Sequence, residues 1–242
     1  MADSDSAIEH FVGIDLSAVN SVVSCSTRAE PAAVTVAVND VSNRSTPSTV
    51  AFDGSLRLVG DSADAKVSQL PKQVVNYLPV MLGSPESARA NWARFGCMWP
   101  LAEDGKIGPL QFGGREALAL QPASCLAALL AKLVSFAAGP SVLEPGPQEE
   151  RAKQNFELAI GAPDAWAEAE LGALRAAVDI LGWRPELVRV LPYSAAVATA
   201  YAQRVGQRLP EGEERRTVVF VDVGYSQSTV CAAAYSAPAP AE

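Results

Sequence analysis

Histidine is nearly missing from this chain: its 242 residues include one, His10. Cysteine is almost as scarce, and Cys25, Cys97, Cys125 and Cys231 stand far apart with no CxxC pair. A zinc centre draws on Cys and His at short fixed spacings, so none is expected, and free thiols in a reducing, cytoplasmic setting are the expectation. Positive charge is also short: 19 Lys and Arg face 27 Asp and Glu, a net charge of −8. Nucleic-acid binding needs cations that displace counterions from phosphates, and no basic stripe with interleaved aromatics is present, so that partner class is set aside. Long apolar runs are absent too. The longest, about Cys125 to Ala138, is interrupted by Lys132 and is too short to span a bilayer, so no membrane partner is expected. The acidic opening, Met1-Ala-Asp-Ser-Asp-Ser, lacks the layout of a secretory signal.

Against these shortages, 49% of the residues are hydrophobic and 19% charged, the balance of a globular chain. The length suits one substantial domain, or one and a half smaller ones. After a polar leader, Phe11 to Asp15 reads as a buried strand, Val22 to Ser26 as a second and Val34 to Val38 as a third. Asn39 to Arg44 is a turn cluster, Thr49 to Phe52 a strand, and Asp61 is placed to cap a short helix through Ser68. The stretch from Gly83 to Trp99 has no clear period, whereas Cys97–Leu101 and Leu110–Phe112 read as strands around the turn at Asp104-Gly105. Pro122 opens a long helix that stops before Gly139-Pro140, a start and stop that fit helix punctuation. The chain then alternates: strand Phe156–Ile160, a helix from Asp164 to about Leu181, strand Leu187–Leu191, and a helix from Ser194 to about Arg204. Gly139 to Asn155 and Gly206 to Arg216 read as exposed loops. Thr217–Asp222 is a strongly apolar strand with a partner at Ser228–Tyr235. Trp166 and Trp183 are expected in packing, and the alanines from Ala195 to Ala202 imply close helix-to-sheet contact. Strands alternating with helices give an α/β class with a central, partly parallel sheet, antiparallel at one end.

One internal similarity carries chemistry. Ile14-Asp15-Leu16-Ser17-Ala18-Val19-Asn20-Ser21 can be laid over Val221-Asp222-Val223-Gly224-Tyr225-Ser226-Gln227-Ser228. In both, a buried strand ends on an aspartate, and small or polar residues turn the chain into a second strand. Such turns can point backbone N–H groups at phosphate oxygens, and strand-end aspartates can hold a hydrated Mg²⁺. Two ordinary β-hairpins, each with an Asp at its turn, satisfy the same spacing.

At these residues the chain resembles a known family. Val12-Gly-Ile-Asp15-Leu-Ser-Ala-Val-Asn-Ser-Val resembles the first phosphate turn of the heat-shock protein 70 superfamily. Val38-Asn39-Asp40, Asn43-Arg44-Ser-Thr46-Pro47-Ser48-Thr-Val-Ala-Phe52 and Leu58-Val59-Gly60-Asp61-Ser-Ala63 resemble the next segments of that family, in the same order and spacing. Arg216-Thr-Val-Val-Phe-Val-Asp222-Val-Gly224-Tyr-Ser226-Gln resembles the second phosphate turn of the larger, 110-kDa branch, as do Trp99-Pro-Leu with Asp104-Gly105 and the helix after Pro122. The resemblance runs from about Phe11 to Tyr235.

The resemblance implies an actin-like (ribonuclease H-like) ATPase fold of two lobes with ATP in the cleft between them. On this mapping residues 1–10 are a flexible leader and 11–216 the complete first lobe, with a small upper subdomain at about 40–114. Residues 217–236 are the opening hairpin of a second lobe whose remainder is missing, and 237–242 are a tail. The nucleotide would meet Asp15, Ser17, Ala18, Val19, Asp222, Gly224, Tyr225 and Ser226, with Asp15 and Asp222 holding Mg²⁺ through water. Three expected groups are replaced: the phosphate-turn threonine by Ala18, the catalytic lysine by Pro79, and the water-network glutamate by Tyr193. Lys66 and Lys72 are out of register to substitute. The resemblance therefore implies ATP or ADP with Mg²⁺ held weakly or not at all. It also implies a chaperone or co-chaperone that partners an active 70-kDa chaperone, speeds its nucleotide release and holds unfolded clients. A residual Mg-dependent ATPase and a degenerate, inactive product are the alternatives.

Overall fold

The computed structural model describes residues 8–113, 118–139, 154–204 and 215–236. Its centre is a sheet in the order β11-β10-β1-β2-β3. The strands are β1 (His10–Asp15), β2 (Asn20–Thr27), β3 (Thr35–Val36), β10 (Phe156–Ala162) and β11 (Val188–Pro192). β1 pairs with β2 antiparallel and with β10 parallel, and β10 pairs with β11 parallel. The expected mixture of a parallel half and an antiparallel end is therefore present.

Helix α3 (Pro122–Ala138) supplies the core. Leu126, Leu129, Leu130, Leu133 and Val134 recur at three- and four-residue spacing, so one stripe of the helix is apolar, and all five are buried. They meet Val12 and Ile14 of β1, Val23 of β2, and Phe156, Leu158 and Ile160 of β10 in one cluster. β10 alternates buried and half-buried positions along its length, as a strand packed on one face does. α4 (Glu168–Leu181) adds Leu174, Ala177 and Val178 to the same core.

A smaller region lies beside the antiparallel end. It holds β4 (Thr46–Pro47), β5 (Val50–Asp53), β6 (Leu56–Val59), α1 (Asp61–Asp64) and β7 (Val74–Val75). A 3₁₀ turn at Leu78–Met81, α2 (Pro85–Arg94), β8 (Ile107–Leu110) and β9 (Leu118–Leu120) come next. β6, β5 and β7 form a three-stranded sheet. Trp99 is fully buried here, and its indole N–H donates to Asn76 Oδ1 at 3.1 Å. Finally α5 (Tyr193–Arg204) leads to the hairpin of β12 (Arg215–Val223) and β13 (Ser228–Ser236), which pair only with each other.

Several local expectations change. Of the leader, Ile8 is buried and His10 already belongs to β1; residues 1–7, the tail at 237–242 and most of the two loops lie outside the described residues. The third strand is shorter than Val34–Val38, because its valines face outward with nothing to pack on. Asp61 does not cap α1. Gly60 holds that position, and the Asp61 carboxylate accepts from Asn39 Nδ2 at 2.7 Å. The stretch after Gly83 contains α2, capped by Ser84 Oγ accepting the Ser87 N–H at 3.2 Å. Cys97–Leu101 is not a strand, and only Leu101 bridges to Ile107; the second strand of that pair of expectations lies earlier, at Ile107–Leu110.

Asp164 does not cap the helix after it. α4 begins at Glu168, where Glu170 Oε2 accepts the Ala167 N–H at 3.1 Å. The Asp164 carboxylate instead reaches the start of α5, accepting the Ser194 N–H at 3.2 Å and the Ser194 hydroxyl. Ser194 is consequently inside α5, which begins on Tyr193. α5 runs beside neighbouring strands with Ala196, Ala198 and Ala202 half-buried, but Ala195 and Ala200 are exposed and none of its residues is fully buried, so the close contact expected of its alanines is only partly present. Trp183 is buried edge-on to Phe156 at 5.3 Å, and Trp166 packs at the core margin.

Burial pushes the Cys97 thiol up to about 11 and the Cys125 thiol up to about 12, whereas Cys25 and Cys231 are half-buried. Native alkylation with peptide mass spectrometry is expected to label Cys25 and Cys231 and to leave Cys97 and Cys125 unmodified. Leu130→Ala is expected to cost about 2–5 kcal/mol in denaturant unfolding, since the side chain is enclosed by the main cluster and little can collapse into its place.

Candidate functional site

The two matching turns face one cleft. Its volume is about 680 Å³, and it is lined by β1 and the turn after it, by the 3₁₀ turn, by the start of α5 and by the β12–β13 hairpin. Seven of the eight residues expected there line it: Asp15, Ser17, Ala18, Asp222, Gly224, Tyr225 and Ser226. Val19 does not. Its carbonyl accepts the Ser48 N–H at 2.8 Å, which turns it toward the smaller region.

Register explains why the aspartates converge. Asp15 is the last residue of β1 and pairs with Val22 and Gly161; Asp222 is the penultimate residue of β12 and pairs with Thr229. Asp15 keeps surface open to the cleft, yet its carboxyl lies among protein atoms. That burial pushes its pKa above the ordinary carboxylate value, the charge of Asp222 pushes the same way, and the Tyr193 hydroxyl pulls it down.

Tyr193 is the central side chain of the floor. Its hydroxyl donates to the Leu16 carbonyl at 2.6 Å. Burial, then the charges of Asp15 and Asp222, push its pKa up, so the phenol stays protonated and keeps donating. Gly161 lies beside the ring: a Cβ there would stand 3.4 Å from Tyr193 Cε1 and from the Ile14 carbonyl oxygen, which is ordinary van der Waals contact.

The backbone donors expected to cradle phosphate are partly engaged elsewhere. The Ser17 N–H donates to Ser21 Oγ at 3.3 Å, and the Gly224 N–H donates to the Gln227 carbonyl at 2.9 Å. Ser21 is itself fully buried and paired with Ser48 Oγ at 2.8 Å. Pro79 is buried in the 3₁₀ turn and lines the cleft. Among the described residues no lysine or arginine lines it; Lys66 is paired with Asp53 at 2.8 Å, and Lys72 is exposed.

At the mouth three aromatic rings meet. Tyr77 stacks on Phe95 at 5.2 Å and on Tyr225 at 5.7 Å, and Phe95 and Tyr225 lie 5.9 Å apart. Arg94 sits 5.3 Å above Phe95. Each such aromatic pair adds about 0.5–1.5 kcal/mol beyond its buried area.

Comparison with known proteins decides what this cleft descends from. The family model described as Hsp70 protein matches residues 11–235. The chain belongs to the Hsp70 family. It is 31% identical over 230 residues to a heat shock protein homolog of the yeast Lachancea kluyveri, covering 92% of this chain and 30% of that protein. Against a heat shock protein homolog of Saccharomyces cerevisiae it is 30% identical over 223 residues, covering 90% and 30%. Against heat shock 70 kDa protein 16 of Arabidopsis thaliana it is 26% identical over 231 residues, covering 93% and 28%. The chain thus spans about 30% of the length of these relatives. It is a nucleotide-binding-domain stretch near the 110-kDa branch, and Hsp70 membership carries the actin-like ATPase fold.

The residues do not fit the group that an Hsp70 cleft hydrolyses. Phosphoryl transfer depends on charge placed around the γ-phosphate. Among the described residues the cleft offers no lysine or arginine to that charge, Ala18 has no hydroxyl, and the Tyr193 hydroxyl donates to the Leu16 carbonyl. Asp15 and Asp222 form a carboxylate pair, and no cluster of three metal-ligating side chains occurs among the described residues.

The carboxylate pair has a measurable consequence. Because folding raises the Asp15 pKa above its ordinary 3.8, the folded state holds more protons than the unfolded chain between those two values, and stability falls as pH rises through that window. Asp15→Asn is therefore expected to melt higher than the parent at pH 7, with the gap closing below pH 3.8. Thermal melts across pH check this, and equal melting at pH 7 contradicts it.

Proposed function

We propose that this chain works as a regulatory partner of an active 70-kDa chaperone, speeding its nucleotide release, and does not itself hydrolyse ATP. The observation that carries the reading is the cleft: it keeps the two matching turns with Asp15 and Asp222, yet no lysine or arginine among the described residues lines it. Removing the cation near the γ-phosphate and a carboxylate from the water network each takes orders of magnitude from a phosphoryl-transfer rate. What the fold retains is shape, and shape is what a partner surface uses. The similarity to the two yeast heat shock protein homologs supports the same direction, because resemblance to the 110-kDa branch implies action on a 70-kDa chaperone. On this reading residues 11–216 are a complete first lobe, with its upper subdomain at about 40–114, and 217–236 open a second. Unfolded clients and a cytoplasmic location belong to the proposal. Among the described residues no helix is long and apolar enough to cross a membrane.

Two other readings each have an observation in favour. The aspartate pair on matching turns favours residual Mg-ATP binding. The open face of the hairpin favours a chain that needs a cover: Val219, Val221, Val223 and Val230 are 62%, 65%, 78% and 68% exposed on one face. Their counterparts in the first hairpin, Val12, Ile14, Leu16 and Val23, are buried. An apolar sheet face left in water invites association.

The first experiment is release of a fluorescent ADP from a purified 70-kDa chaperone. The chain is expected to accelerate release at stoichiometric concentration, and a flat response removes the proposal. Calorimetric titration with Mg-ATP is expected to give no heat. Micromolar binding abolished by Asp222→Ala establishes the residual-nucleotide reading instead.

A further inference from the structure

The aromatic stack at the mouth joins parts of the chain that sequence keeps far apart. Tyr77 precedes the 3₁₀ turn carrying Pro79, Phe95 ends α2, and Tyr225 sits on the turn between β12 and β13. The Tyr77 and Tyr225 rings are within 5° of parallel, and their hydroxyls are 3.5 Å apart. Tyr225, Pro79 and Val80 line the cleft, so the stack of Tyr225 on Tyr77 joins the hairpin turn to the segment that carries Pro79.

Two further features show that this contact is built. Tyr77 has a left-handed backbone, with φ of 56° and ψ of 26°. That conformation is unfavourable for a bulky side chain and persists only where the surroundings hold it. The hairpin, moreover, is anchored at its other end. Tyr201 of α5 lies 5.4 Å from Phe220 and 5.2 Å from Tyr235, and the Tyr235 hydroxyl donates to the Ala198 carbonyl at 2.9 Å. With its base fixed on α5, the turn end of the hairpin is the free end, and Tyr225 is what ties it down.

We propose that Tyr77, Phe95 and Tyr225 form a strap that ties the turn of the second hairpin to the segment before Pro79 without any ligand, so that the cleft widens only when Tyr225 leaves the stack. The strap acts on the cleft whether or not nucleotide is the occupant, and it stands independently of the partner reading above. The hydroxyl contact with Tyr225, then burial, also pushes the Tyr77 pKa up to about 12, so the Tyr77 phenol stays protonated at working pH.

Cys231 lines the cleft and Cys25 lies outside it, which provides a native gauge and an internal control. The full chain is labelled with a maleimide, and rates are read at each cysteine by peptide mass spectrometry. Tyr77→Asn suits the left-handed backbone and removes the stacking partner while leaving Tyr225 intact. The strap predicts about tenfold faster labelling of Cys231 with Cys25 unchanged, and a Tyr77→Phe rate within about twofold of the parent. Parent-like labelling of Cys231 in Tyr77→Asn overturns the proposal. Should Tyr77→Asn also label the buried Cys97 and Cys125, a sign of lost fold, the exposed Tyr225 replaces it. Tyr225→Leu must then label fast and Tyr225→Phe slowly, and equal rates overturn the proposal.

Discussion

The hydrogen bond from the Tyr193 hydroxyl to the Leu16 carbonyl, at 2.6 Å, is where the sheet, the cleft and the last helix meet. Leu16 comes directly after β1 and is fully buried, so its carbonyl needs a partner that water cannot supply easily. Tyr193 begins α5 directly after β11, and its ring packs beside Gly161 of β10. The same α5 supports the second hairpin through Tyr201. The start of α5 is fixed in turn by the Asp164 carboxylate, which takes up the Ser194 N–H. One short helix thus transmits the position of the first turn to the second.

The two hairpins show how little of a fold is decided by local pattern alone. Val12, Ile14 and Leu16 correspond to Val219, Val221 and Val223, and both sets alternate as strands do. The first set is buried against α3; the second faces solvent. Strand formation comes from the alternation and from β-branched residues, whereas burial depends on whether a helix arrives to cover the face. The hairpin's opposite face does find cover, on α5, and that is the side on which Phe220 and Tyr235 point.

Much of this was legible in the sequence where the signal was local. α3 runs between Pro122 and Gly139 as its punctuation predicts, and both turns around Asp15 and Asp222 lie where the strands end. α2 was not legible because its sequence, Pro85 to Arg94, buries only Ala88 and shows no apolar stripe; its N-terminal cap on Ser84 was the readable part. Asp164 misled for a different reason. A cap is recognised by the residues immediately after it, but this carboxylate bonds to a residue 30 positions on. The stack of Tyr77 on Tyr225 joins residues 148 apart and could not be read from either turn. The aromatic residue after Gly224 makes its contacts with Tyr77 and Phe95.

The side chains that line the cleft are engaged within the protein: Pro79 is buried beside Leu78 and Met81, Ala18 is buried beneath its turn, Tyr193 donates to Leu16, and Tyr225 stacks on Tyr77 and Phe95. Buried donors and charges need partners, and the apolar and aromatic groups here carry no such cost. Asp15 and Asp222 are the exception, since the charge of Asp222 still raises the cost of ionising Asp15. Both carboxylates stand on the two matching turns, and the contacts that join those turns, through Tyr193 and through Tyr225, are made by the protein's own side chains.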